Sequence, residues 1–151
     1  MKSIVFENEL WDFLRTITEC FVSDFRPIAE EHGLTLMQTR ILMEIRECGH
    51  TVGSLGNIMG LSSGNASSMC KKLEKGGYLK RLRNPEDERY VQLALTETGL
   101  DTLRKIGDTL ELKYGAFWEN TSDEEVFSVF ESMKKVRSFI QKMYRLDSPE
   151  K

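Results

Sequence analysis

The sequence predicts a mainly α-helical chain with one small β-hairpin, and three observations carry that reading. Apolar residues recur at spacings of three and four along most of the chain, the period of a helix with one buried face. Serines, threonines and glycines punctuate those stretches where helix caps belong. Only after Gly76-Gly77 does the period change to alternation, and it does so for two short runs.

The first helix spans about Phe6 to His32, with Phe6, Leu10, Phe13, Leu14, Ile17, Cys20 and Phe21 as its apolar stripe. Pro27 lies inside this pattern and predicts a kink or break near Phe25–Arg26, because proline lacks an N–H and crowds the preceding turn. Gly33 ends the segment. Thr35 and Gln38 form a capping box that opens a second helix, with Leu36, Ile41, Leu42 and Ile45 facing inward and Gly49 as its stop. A short third helix runs from Val52 to Met59 behind a Thr51 cap, although Gly53 and Gly56 each disfavour a helix interior by about 1 kcal/mol. Gly60-Leu61-Ser62 is a turn whose serine caps a fourth helix reaching about Gly76, with Ala66, Met69, Cys70 and Leu73 buried. Short helix, tight turn and second helix have the length of a helix-turn-helix.

The strands are Tyr78–Arg83 and the run Val91, Leu93, Leu95, joined by the polar loop Asn84-Pro85-Glu86-Asp87-Glu88-Arg89. One hairpin cannot stand alone and must lean on the helices before it. From Thr96 a further helix carries Leu100, Leu103, Ile106, Leu110 and Phe117. Ser122 and Glu125 make a second capping box, opening a last helix to about Leu146 with a stripe of Val126, Val129, Phe130, Met133, Val136, Ile140 and Met143.

At 151 residues the chain is expected to be one domain with a real core, and 40% hydrophobic against 30% charged residues excludes a disordered chain. Cys20, Cys48 and Cys70 are too few and too widely spaced for a disulfide framework or a zinc finger. No apolar run reaches bilayer length, and the N-terminus turns acidic where a signal peptide needs apolar residues; a soluble, cytoplasmic protein is expected. No nucleophile elbow, phosphate-binding loop, dinucleotide fingerprint or paired metal ligands occur, so neither enzymatic activity nor a cofactor or metal is expected.

Residues 53–83 carry six cations against one acid, Glu74, within a chain of net charge −3. A helix-turn-helix followed by a basic ribbon is a winged helix: the helix fits a major groove while the hairpin reaches an adjacent backbone or minor groove. Ser62, Ser63, Asn65, Ser67 and Ser68 supply short side chains that bond phosphates or base edges without holding the helix off the DNA. Polar caps on a solvated helix are the plainer reading of the same serines; Lys71, Lys72, Lys75 and the basic hairpin favour DNA.

Leu55–Ser62, Met69–Leu79, the Asp87-Glu88-Arg89 triplet and Leu95-Thr96-Glu97-Thr98-Gly99 resemble the MarR family of winged-helix transcription regulators, whose wing reads D-x-R followed by L-T-x-x-G. The resemblance covers nearly the whole chain. It implies a winged helix-turn-helix core over residues 35–96, and a homodimer interlocked through dimerisation helices over 1–32 and 97–146. It further implies that Arg89 enters the minor groove and that Asp87 orients it, as suits a guanidinium in a narrow electronegative groove. Ser63, Asn65, Ser67 and Ser68 fall on the recognition surface, and Lys72, Arg81 and Arg83 are placed for backbone contacts.

Family habit implies repression at a palindromic operator with half-sites about 34–36 Å apart. Glu88 stands where the family commonly has a second arginine, and with Gly53, Gly56 and Gly64 it predicts modest affinity or steep salt dependence. Many relatives respond to small aromatic or phenolic acids. Trp11, Phe13, Phe21, Phe25, Phe117 and Trp118 are the aromatic candidates here and Arg15, Arg40 or Arg46 the carboxylate partner, with Phe13, Arg15, Phe21 and Arg46 the set preferred; core aromatics beside exposed arginines are the plainer alternative. Two further alternatives are cysteine-based redox sensing, for which Cys20 lies too far along its helix, and a degenerate winged helix that binds another protein.

Overall fold

The computed structural model describes residues 2–83 and 91–147. Two compact units divide the chain, residues 1–109 and 110–151.

The first unit opens with α1 (Lys2–Cys20), continues through a π-helical turn (Phe21–Phe25) and ends this run with α2 (Arg26–Glu31). Where the sequence predicts a kink or break, the helix widens instead. The Arg26 N–H donates to Phe21 O, five residues back, directly before the proline that cannot donate. α1 buries no residue: Trp11 is 70% exposed, and Phe13, Leu14 and Phe21 are exposed too. Its stripe is therefore not core of the single chain.

Past Gly33, α3 (Leu36–Glu47) starts at the expected box, in which the Gln38 N–H donates to Thr35 Oγ1 at 3.2 Å and the Thr35 N–H to Gln38 Oε1 at 2.9 Å. Strand β1 (His50–Thr51) follows, which the sequence reading lacks. α4 (Val52–Met59) and α5 (Ser63–Lys75) form the helix-turn-helix. The ribbon is β2 (Leu79–Arg83) and β3 (Val91–Leu95), paired antiparallel with Arg81 opposite Leu93. β1 pairs on the far side of β3, giving a three-stranded sheet in the order β1-β3-β2.

Leu34, Ile41, Leu42, Leu55, Leu73 and Leu93 are buried at the centre of this unit, each burial stabilising it by roughly 1.5–3 kcal/mol. α6 (Glu97–Glu119) adds Leu103 and Ile106 to that core, whereas Leu100 and Phe117 of its predicted stripe are exposed.

The second unit holds the end of α6 and all of α7 (Asp123–Asp147). The Glu125 N–H donates to Ser122 Oγ at 3.2 Å, the bond that starts α7. Phe127, Phe130, Met133 and Phe139 on α7 are all more than half exposed. Among the described residues no helix is long and apolar enough to cross a membrane.

Candidate nucleic-acid interface

The face of α5 is set by what the helix buries. Ala66, Cys70 and Leu73, spaced by four and three, are fully buried against the rest of the unit. Ser62 sits in extended conformation before the first turn and accepts the Asn65 N–H at 3.3 Å. The rest of the surface is left to short polar and basic groups. Ser62, Ser63, Asn65 and Ser68 are exposed, and Ser67 is half-buried. Gly64, Ser67, Ser68, Lys71, Lys72 and Lys75 line one shallow groove along the helix. Lys71, Lys72 and Lys75, which the sequence already sets against the plainer reading of the serines, follow Ser68 at spacings of three, four and seven and so share its face.

The ribbon is anchored to this helix by the residues of the L-T-x-x-G signature. The Thr96 N–H donates to Tyr78 O at 3.1 Å, the Thr96 hydroxyl donates to Gly77 O, and the Gly99 N–H donates to Thr96 Oγ1 at 3.0 Å. A Cβ at position 99 would come 2.1 Å from Tyr78 O, so only glycine lets α6 start against that carbonyl. The Tyr78 hydroxyl reaches back to His32 O at 3.2 Å, tying the ribbon to the end of α2.

On the ribbon, Arg83 is exposed at the end of β2. Arg81 is half-buried, and its Nε donates to Glu74 Oε2 on α5 at 3.1 Å. Asp87 and Arg89 lie outside the described residues. Burial pushes the Cys70 thiol above its ordinary value; the Arg81 cation pulls it down and Glu74 adds to the rise. Cys70 is therefore a protonated packing group, while Cys20 and Cys48 are exposed. Cys20 lies on the α1 stripe that was expected to be apolar core.

Of the effector candidates, Phe21, Phe25 and Arg40 line one groove. Arg15 pairs with Asp12 at 3.0 Å and Arg46 with Glu47 at 2.9 Å, both exposed, while Phe13 lies on open α1 surface. The groove measures about 490 Å³, and Phe21, Phe25, Met37, Met43 and Met59 give it an apolar lining with Arg40 as its cation. Buried His50 faces Ser54 Oγ at 3.3 Å through Nδ1 and Glu44 Oε1 at 3.7 Å through Nε2. Among the described residues no three His, Cys, Asp or Glu side chains gather as a metal site.

The model of the transcriptional regulator SarA/Rot family matches residues 23–106. The HTH-type transcriptional regulator SarZ of Staphylococcus haemolyticus is 31% identical over 142 residues, 91% of this chain and 93% of that protein. A MarR family protein from Bacillus stearothermophilus superposes with a TM-score of 0.74 at 25% identity, covering 93% of this chain and 98% of its own. Staphylococcus aureus MarR, solved with salicylate and kanamycin, also reaches 0.74, at 20% identity over 93% of this chain and 96% of its own. These relatives are transcriptional regulators and not enzymes. Matched from the π-helical turn into α6, the chain belongs to the SarA/Rot family of transcriptional regulators, DNA-binding winged-helix proteins of the MarR kind.

Proposed function

We propose that this regulator acts in the cytoplasm as a homodimeric repressor, setting α5 into the major groove of operator DNA and the ribbon against the neighbouring minor groove. The carrying observation is the division of α5: its apolar face is buried and its serine, asparagine and lysine face is exposed. Ser62, Ser63, Asn65, Ser67 and Ser68 meet base edges and phosphates, Lys71, Lys72, Lys75 and Arg83 meet the backbone, and Arg89 enters the minor groove with Asp87 orienting it. The exposed apolar residues of α1 and of α7 support dimerisation, because a monomer rarely leaves such patches in water. A two-fold dimer requires a palindromic operator with half-sites about 34–36 Å apart.

The groove beside Phe21 supports relief by a small aromatic or phenolic acid, its ring among apolar side chains and its carboxylate on Arg40. That Staphylococcus aureus MarR was solved with salicylate agrees with this reading.

Fluorescence anisotropy on the DNA upstream of the chain's own gene tests the reading, with Arg89→Ala and salicylate run in parallel. Saturable binding that outcompetes random duplex, falls about tenfold or more between 50 and 200 mM salt, and is crippled by Arg89→Ala is the expected result. Salicylate is expected to weaken binding, and Arg40→Ala to abolish that response. A folded dimer with no preference for any sequence selected from a random DNA pool would transfer the winged helix to a protein partner.

A further inference from the structure

Between the recognition helix and the ribbon lies a joint of two glycines, with Gly77 at φ 77, a backbone conformation that favours glycine. The Gly77 N–H donates to Glu74 O and the Tyr78 N–H to Leu73 O, both at 3.0 Å, so backbone bonds close the turn, but its two glycines bring no side chain that braces strand against helix. Yet a helix in one groove and a hairpin tip at the next must keep a fixed relation, or each binding event has to freeze that freedom.

Glu74 and Arg81 bracket the joint, one on the last turn of α5 and the other in the middle of β2. Arg81 Nε donates to Glu74 Oε2 at 3.1 Å, and their side chains keep only 30% and 40% of their exposure. That bond holds the guanidinium against α5. Its Nη2 is buried with no hydrogen-bond partner among the described residues, and its charge is felt by the Cys70 thiol inside α5. Glu74 is also the single acid among the seven charged residues of 53–83. An acid is unfavourable next to phosphates, so its place on a DNA-reading helix calls for a separate role.

We propose that Glu74 and Arg81 are a positioning pair, a bolt across the Gly76-Gly77 joint that holds the wing at its angle to the recognition helix, and that Arg81 therefore does not contact the DNA backbone. The pair rests on the DNA-binding reading for its purpose, but not for its existence.

A thermodynamic cycle of Glu74→Gln, Arg81→Gln and the double variant on operator DNA separates a bolt from a phosphate contact. For a bolt, either single change weakens binding by about three- to fivefold and the double costs no more than one single, as fits a half-exposed ion pair. The salt slope of log K is then unchanged by Arg81→Gln. The reversed pair, Glu74→Arg with Arg81→Glu, is expected to restore affinity at constant net charge. A direct phosphate contact gives the opposite pattern. Arg81→Gln would cost the same in both backgrounds and lower the slope by about 0.9, while Glu74→Gln would tighten binding, and that overturns the proposal. Unchanged affinity in all variants overturns it as well.

Amide hydrogen exchange on the free protein is the independent arm. Protection across Lys80–Arg83 is expected to fall in Glu74→Gln while the α3 core keeps its own. If the wild-type protein shows no DNA preference, the DNA reading alone fails. The exchange data then decide the bolt, which is overturned if β2 keeps full protection.

Discussion

A Cβ at position 99 would press on the Tyr78 carbonyl at 2.1 Å, whereas one at position 64 would meet nothing within 4 Å. The same substitution therefore has opposite signs at the two sites. Gly99→Ala is expected to destabilise by about 3 kcal/mol, since neither backbone has room to retreat. Gly64→Ala, in a helix with open space, is expected to stabilise by about 0.5–1 kcal/mol. Urea unfolding of both variants at one protein concentration checks the pair, and a shared sign refutes it. The thiols divide similarly. A disulfide reagent is expected to modify Cys48 quickly in the native protein and Cys70 only on unfolding. Because the folded Cys70 thiol sits above its ordinary value of 9.0, its contribution is intact below that pH. It is lost as pH rises further, because the unfolded chain releases the proton first. Equilibrium unfolding from pH 8 to 10.5 of wild type against Cys70→Ala tests this, the wild type losing the more stability.

Among the elements, those with a local chemical cause were legible. Thr35 and Gln38 announce α3, Thr51 announces α4 and Ser62 announces α5, because a cap is a bond between residues three apart and both partners are in the string. Thr35→Ala is expected to cost about 1 kcal/mol, read as a fall of roughly 2–4 °C in thermal midpoint. β1 was illegible because two residues have no period, and His50-Thr51 becomes a strand only by pairing with Leu93 and Gln92 some forty residues later. The widened turn before Pro27 was half legible. Proline marks the place, but whether a helix breaks or takes in an extra residue is decided by packing. Gly56, legible in the sequence only as a cost to the helix, lies where a Cβ would come 3.3 Å from Ala66 Cβ and Leu61 O, so its absence lets α4 and α5 approach.

For the molecule as a whole, the stripes of α1 and α7 show the limit of periodicity. A period of 3.6 tells that a face is to be covered and not what covers it. Phe130→Glu and, separately, Trp11→Glu are expected to convert a dimer into a folded monomer in sedimentation velocity, with retained helical circular dichroism. The site was legible wherever it lay on one helix, as at Ser62–Lys75, and illegible where it joined distant segments. Phe21 and Arg40 meet in one groove only through folding, and the Glu74–Arg81 contact, which we propose as a positioning pair, spans the Gly76-Gly77 joint between two elements.

The π-helical turn has one more consequence, best counted in degrees. Each residue of an α-helix turns the chain by about 100° around its axis, so one residue more or less re-aims everything upstream of it. The azimuth of the whole α1 face, from Phe6 to Phe21, is thus set by the length of a five-residue turn just before Pro27. Deleting Ser23 would leave the residues of that face in place and point them at a different neighbour. Such a deletion would alter with whom the chain assembles while sparing the fold that begins at α3.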